Sequence, residues 1–384
     1  MKLPFPSDFA CRRCGRCCRV PGEVSLQPNE VDAIARLLGL EPQEFIDHHT
    51  RLNHDRSALA LLEEPDGRCA WLDTDERCRI QNAKPKQCRD FPVWTTPDLE
   101  AACPALAMNK PHIYKPIVRP RVWGIETILL SALDQAPSRE IGTGVSLPDL
   151  LAAQPNLLGA ELPFPLLFKH LHTTDVLSVQ VHPNEATAPL TGGDPKTEMW
   201  FILRSTRSDA ILYAGLAPGA DPGQLASPEA GRALVRHHPA PGDTLLIPGG
   251  LVHAIGPGCD IYEVQQASDT TFRLYDWNRP PQPDAPRPLH TKQALQAIDW
   301  HLPPPRLQPL APIHTRHFTT EIHTLPCHIP QHTTFQVLFT QDSGVTLLWG
   351  GNETPLPPCH CCLVPARMAL SAAGAGTLVR TIIP

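Results

Sequence analysis

A chain of 384 residues with 42% hydrophobic and 19% charged side chains can build two or three packed domains and carries no compositional mark of disorder. A net charge of −6 removes the broad basic surface that nucleic acid requires, and no run of about 20 apolar residues offers a membrane span, so neither partner is expected. The 45 prolines, about 12% of the chain against a usual ~5%, are scattered and point to stiff loops.

The N-terminus, MKLPFPSDFA, lacks the apolar core of a secretory signal, so the expected location is the cytoplasm, where disulfides are rare. Thirteen cysteines then need another use. Eight of them, Cys11, Cys14, Cys17, Cys18, Cys69, Cys78, Cys88 and Cys103, fall in the first 103 residues, and that clustering points to metal. The run CRRCGRCC sets thiols at chelating spacing, and GRCAWLDTDERCRI, KPKQCRDFP and AACPA supply four more. Eight thiolates can fill two tetrahedral four-cysteine sites, or hold an iron–sulfur cluster with ligands to spare. Arg12, Arg13, Arg16 and Arg19 flank the first group, and Arg77, Arg79, Lys84, Lys86 and Arg89 the second. Nearby cations favour the ionised thiolate.

Between the groups, QPNEVDAIARLLGL predicts an amphipathic helix with Val31, Ile34 and Leu38 on one face and Gly39 as its stop. A short second helix is expected around PQEFIDHHT, with His48 and His49 as helix-end cations rather than ligands. Over residues 8 to 107 the sequence resembles the zinc- or iron-chelating cysteine-cluster proteins. CRRCGRCC, the helical spacer, CRIQNAKPKQCRDFP and Cys103-Pro104 carry that resemblance. It implies metal or cluster binding and leaves zinc, iron and an iron–sulfur cluster open.

After Cys103 the composition shifts, and Met108 followed by NKPHIYKPIVRPRVWG reads as the start of a separate unit. Short strands follow in LSVQVH, MWFIL, DAILYAGL, DTLLIPGGLVHAI, DIYEVQQ and TFRLYDW, parted by Gly, Pro and Asp turns, which predicts a β-sandwich or barrel. SPEAGRALVRHH is expected to form an inserted helix. Gln180 and His182 lie two apart on a strand and share a face. Glu198 enters a strand just after Lys196. Gly242, Pro248, Gly250 and His253 follow the spacing of a cupin hairpin, whose glycines permit the turn that aims the histidine inward. Two His, one Glu and one Gln suit zinc or another borderline divalent ion with an open position. Any one of these residues alone would read as a satisfied core group or a surface charge; the set together is what points to a site.

These residues resemble type I mannose-6-phosphate isomerases of the short bacterial form. FPLLFKHL, EVQQASDTTFRLYDWNRP and RPLHTKQALQAI match in order and spacing from about residue 113 to 300. The resemblance implies metal ligands at Gln180, His182, Glu198 and His253, substrate contacts at Lys169, Ser178 and Lys196, and catalytic roles for Arg273, Glu263 and Lys196. It implies Zn2+ in the cupin site and a small sugar phosphate as ligand. The chain departs from the family at Trp123-Gly124, which Ile125 follows, and a Gly-Glu-x-Trp stretch is missing between residues 126 and 148. That shortened edge keeps a second function open, a sugar-phosphate-binding or metal- and redox-responsive module without turnover.

Further on, TFQVLFTQ, VTLLWGG and TLVRTII predict strands of a degenerate second barrel. In CHCCLVPA, alternation places Cys359 and Cys361 on one face and His360 and Cys362 on the other. RPPQPDAPRP and LPPPRLQP read as rigid loops. The expected fold is mainly β: a cupin barrel with a degenerate second barrel, after a small α-rich cysteine domain. The expected divisions are 1–107, 108–300 and 301–384.

Overall fold

The computed structural model describes residues 11, 13–91, 96, 99, 103, 110–159, 163–280 and 287–384. Arg12, Pro104, the expected junction at 107–108 and most of RPPQPDAPRP lie outside them. The chain forms two compact units, 1–110 and 111–384. Among the described residues no helix is long and apolar enough to cross a membrane.

In the first unit the predicted helix runs Pro28–Leu38. The Glu30 carboxylate accepts the Gln27 N–H at 2.9 Å, and Pro28 suits the first turn, where no N–H is needed. Gly39 ends the helix at φ 70, a left-handed cap. The buried face, Val31, Ile34 and Ala35, packs on Phe45, Leu61, Trp71 and Ile80. Pro42–His49 forms the second helix, and its last-turn His49 ring lies 5.0 Å from Trp71. A three-stranded sheet orders Ser25–Leu26, Leu59–Leu61 and Thr50–Leu52. Isolated bridges Glu63↔Cys69 and Leu72↔Cys78 then fold the cysteine-bearing turns.

The second unit is built from two β-barrels. The first has a seven-stranded sheet, ordered Gln308–Pro309, Asp243–Ile247, Glu198–Ser205, Cys259–Gln266, Leu166–Thr173, Gly124–Leu130 and Ile117–Arg121. Five strands oppose it, Leu234–His237, Leu212–Leu216, His253–Ile255, Val179–Val181 and Phe272–Tyr275. This is the expected cupin arrangement.

Alternation along the seven-stranded sheet decides what each face does. Leu166, Phe168, Met199, Phe201, Tyr262 and Val264 point away from the first barrel into a core shared with Val337, Phe339, Leu363 and Val379 of the second. Tyr262 stacks on Phe339 at 3.9 Å. The intervening positions, Lys169, Glu198, Trp200 and Glu263, belong to the opposite, inward face. Both faces are therefore covered, and the polar inward residues are held rigidly by an apolar layer behind them.

The barrels also exchange strands. His112–Lys115 pairs with His360–Val364, and Arg139–Glu140 extends that C-terminal sheet, while Gln308–Pro309 pairs with Asp243–Ile247 of the first barrel. Cys361 and the flanking Cys359 face the shared core, and Cys362 faces the second barrel's interior, as alternation requires. The expected helix in SPEAGRALVRHH does not form. Gly231 falls among turns, and the β-branched Val235 lies in strand Leu234–His237, which pairs with Leu212–Leu216. A sheet edge outweighed a weak helical period.

Candidate active site and metal centres

Strand register assembles the cupin site in two rows. His253, Gln180 and Arg273 lie directly opposite one another across three neighbouring strands. On the facing sheet, Trp200, Glu263 and Lys169 form the second row. Glu198, at the start of its strand, reaches between the rows. Gly250 holds the hairpin at φ 95, and its N–H donates to the His182 carbonyl at 2.7 Å, tying the two histidine-bearing turns together. A Cβ there would meet Asp299 Cβ at 2.9 Å, so glycine is required.

His182, Glu198 and His253 are the one set of three His, Cys, Asp or Glu ligand atoms, among the described residues, lying within 4.8 Å of one another, and all three are buried. His182 Nε2 is 3.2 Å from Glu198 Oε1, and His253 Nε2 is 3.9 Å from Glu198 Oε2. Each imidazole is oriented from behind, His182 Nδ1 on the Thr270 carbonyl at 2.8 Å and His253 Nδ1 on the Leu251 carbonyl at 2.9 Å. A backbone carbonyl accepts, so Nδ1 carries the proton and Nε2 presents its lone pair inward. His182 Nε2 and Glu198 Oε2 are buried without a hydrogen-bond partner. Buried acceptors left open in this way fit a cation.

The Gln180 amide lies 3.3 Å from His253 Nε2, and the Ser178 hydroxyl donates to Gln180 Oε1 at 3.1 Å. A half-turn of that amide would present Oε1 as a fourth ligand atom. Burial lowers the His182 imidazole to about 3, with Lys196 adding to the effect, and burial lowers His253 as well. Burial alone would raise the Glu198 carboxyl, but Lys196 and His182 hold it well below its ordinary value. Neutral imidazoles and an ionised carboxylate are the states a metal needs.

Beside this set, Glu263 accepts the Trp200 Nε1–H at 3.1 Å and lies 3.5 Å from Lys169 Nζ. Burial and the Glu198 charge raise Glu263 to about 7, with Lys169 pulling the other way. Lys169 Nζ is also 3.4 Å from Glu126, which the Arg121 guanidinium grips at 2.5 and 3.1 Å. Burial would raise Glu126, yet Lys169 and Arg121 bring it down to about 2. Lys196 Nζ is 3.1 Å from Glu198 Oε1. Arg273 is half-buried, its Nε without a hydrogen-bond partner, and burial and neighbouring Arg287 lower it.

The structure thus gathers Gln180, His182, Glu198, His253, Lys196 and Ser178 in one cluster and Lys169 with Glu263 in an adjoining one. Glu126, Arg121 and Trp200 belong to the same neighbourhood and were not singled out in the sequence. The signal for Glu126 was present in GIETILL, where the carboxylate keeps step with the buried Ile128 and Leu130.

In the N-terminal unit all eight cysteines line one cavity of about 460 Å3. A hydrogen bond from Cys18 lowers the Cys17 thiol to about 6 and raises Cys18. Burial raises Cys69 and Cys78 and pushes Cys88 up to about 12. The cation opposing burial at Cys17, Cys78 and Cys88 is Lys84. Of the flanking cations named from the sequence, Lys84 is the one in this role. Arg19 instead pairs with Glu76, Arg79 stacks 5.1 Å over the Trp71 ring, and Arg89 bonds the Lys84 carbonyl.

Residues 10–113 match the CxxCxxCC family, described as a zinc- or iron-chelating domain. Over 218 residues the chain is 33% identical to mannose-6-phosphate isomerase ManA of Bacillus subtilis, covering 50% of this chain and 69% of that protein. It is 36% identical over 160 residues to the mannose-6-phosphate isomerase of Streptococcus mutans, covering 40% of this chain and 51% of that one. A crystal structure of the mannose 6-phosphate isomerase from Bacillus subtilis shares the fold, with a TM-score of 0.62 at 21% identity over 72% of this chain and all of that one. This chain belongs to the mannose-6-phosphate isomerase family.

Proposed function

We propose that this protein interconverts mannose 6-phosphate and fructose 6-phosphate by moving a proton between C1 and C2 through an enediolate. The observation that carries the reading is the buried His182–Glu198–His253 set beside Glu263, a carboxyl raised to about 7. With Gln180, those three residues would hold a divalent ion, which we assign as zinc from the nitrogen and oxygen donors. Zinc there would polarise the carbonyl and hydroxyl oxygens of the sugar.

The protein's own groups supply the rest. Glu263, poised near neutrality and fixed by the Trp200 N–H, takes the C2 proton and returns it to C1. Lys169, between Glu263 and Glu126, keeps Glu263 from rising further and offers its charge to the substrate. Arg273, always cationic, has an uncommitted Nε with which to steady the developing oxyanion. Lys196 shares Glu198 and adds positive charge for the phosphate dianion, and Ser178 orients Gln180. The N-terminal unit binds metal through its cysteines.

Conversion of mannose 6-phosphate by zinc-replete full-length protein, coupled to detection of fructose 6-phosphate, tests the reading. Steady turnover is expected. Tight sugar-phosphate binding with no turnover, at full metal occupancy, would instead make the barrel a binding module.

A further inference from the structure

The cysteine cavity carries an inference about what it holds, and it rests on the metal-binding reading of the N-terminal unit. Two separate zinc sites would each gather four sulfurs about 3.8 Å apart, given a Zn–S bond of ~2.3 Å and tetrahedral geometry. Among the described residues, no three cysteine sulfurs fall within 4.8 Å of one another. The eight cysteines instead line one common cavity.

Separate pieces of backbone hold them there. The 3-10 turn Arg16–Arg19 presents Cys17 and Cys18, the bridged turns present Cys69 and Cys78, and the short helix Lys86–Arg89 presents Cys88. The Cys69 N–H donates to the Cys18 carbonyl at 2.7 Å, fixing two of these pieces against each other. Val20, Val24, Leu61 and Ile80 contribute apolar walls, and Arg13, Lys84 and Arg89 bring positive charge to the lining. An apolar, thiol-lined cavity with a few cations suits a bulky, anionic, sulfur-ligated group better than a bare ion.

We propose that the N-terminal unit holds one sulfide-bridged iron cluster in this cavity, ligated by four of the eight thiols, and not two zinc ions. The test is iron, acid-labile sulfide and zinc analysis of full-length protein purified without air, before and after reconstitution with ferrous iron and sulfide. Visible absorption and EPR of the reduced sample accompany it. Equal iron and sulfide, about two to four of each per chain, with a broad visible charge-transfer band, is the expected result. Cys69→Ser/Cys78→Ser should lose both together, while circular dichroism reports whether the variant still folds. Iron without sulfide, or zinc beyond the one ion of the barrel with no sulfide, overturns the cluster and leaves metal binding standing. No metal in the unit after reconstitution overturns both.

Discussion

Replacing Glu263 by Gln removes a proton acceptor and little else. The amide keeps the side chain's volume and an oxygen for the Trp200 Nε1–H, which Glu263 accepts at 3.1 Å. Lys169 loses a carboxylate at 3.5 Å but retains Glu126 at 3.4 Å, so no cation is left buried alone. The cost in stability should be about 1–2 kcal/mol. The cost in rate should be larger. A positioned base contributes about 10²–10⁴-fold, or about 3–5 kcal/mol of barrier. In the coupled assay kcat should fall by that factor while KM stays within about threefold, because Glu263 acts on the reacting carbon and not on the phosphate. Metal content should be unchanged, since no ligand contact is lost. A Glu263→Gln protein with kcat within about threefold of the parent would refute Glu263 as the base.

The same geometry predicts the acid limb of the pH–rate profile. Glu263 must be ionised to accept a proton, so kcat/KM rises with pH through its midpoint, which lies near 7 without metal and lower with a cation nearby. A flat profile from pH 5 to 7 contradicts this. Glu126 gives a stability prediction of definite sign. Its folded-state value is depressed to about 2, so its contribution is present above about 4.5 and drains away as pH falls toward 2. Glu126→Gln should therefore be less stable than the parent at pH 6, by up to about 3 kcal/mol, and the gap in denaturation midpoint should close below pH 4. Lys196→Met should keep the metal and lose at least about tenfold in kcat/KM; loss of metal instead would make Lys196 only a support for Glu198.

Much of the candidate site was legible in the sequence because its His, Glu and Gln residues obey strand arithmetic. Gln180 and His182 alternate with Val179 and Val181, and the Gly242–His253 hairpin announces its turn through glycines. What could not be read was register. Nothing local in FKHL or YEVQ says that Lys169 and Glu263 stand opposite each other, or that Trp200 completes the row. For Glu126 the alternation in GIETILL marks an inward position, but its partners Lys169 and Arg121, which make burial of the carboxylate tolerable, come from strand pairing that no local pattern encodes. In the N-terminal unit, cysteine spacing pointed to metal, but the meeting of all eight cysteines at one cavity depends on turns that spacing does not encode. The false helix over 227–238 shows the limit of periodicity where an unpaired sheet edge waits nearby.

His182, Glu198, His253 and Gln180 are proposed to hold the ion on which isomerisation depends. His253→Ala tests it most directly, with metal per chain and turnover of mannose 6-phosphate measured on the same sample. One metal fewer per chain and a loss of turnover on the order of 10²-fold or more are expected, with circular dichroism unchanged. Undiminished metal and turnover in that variant would contradict the assignment.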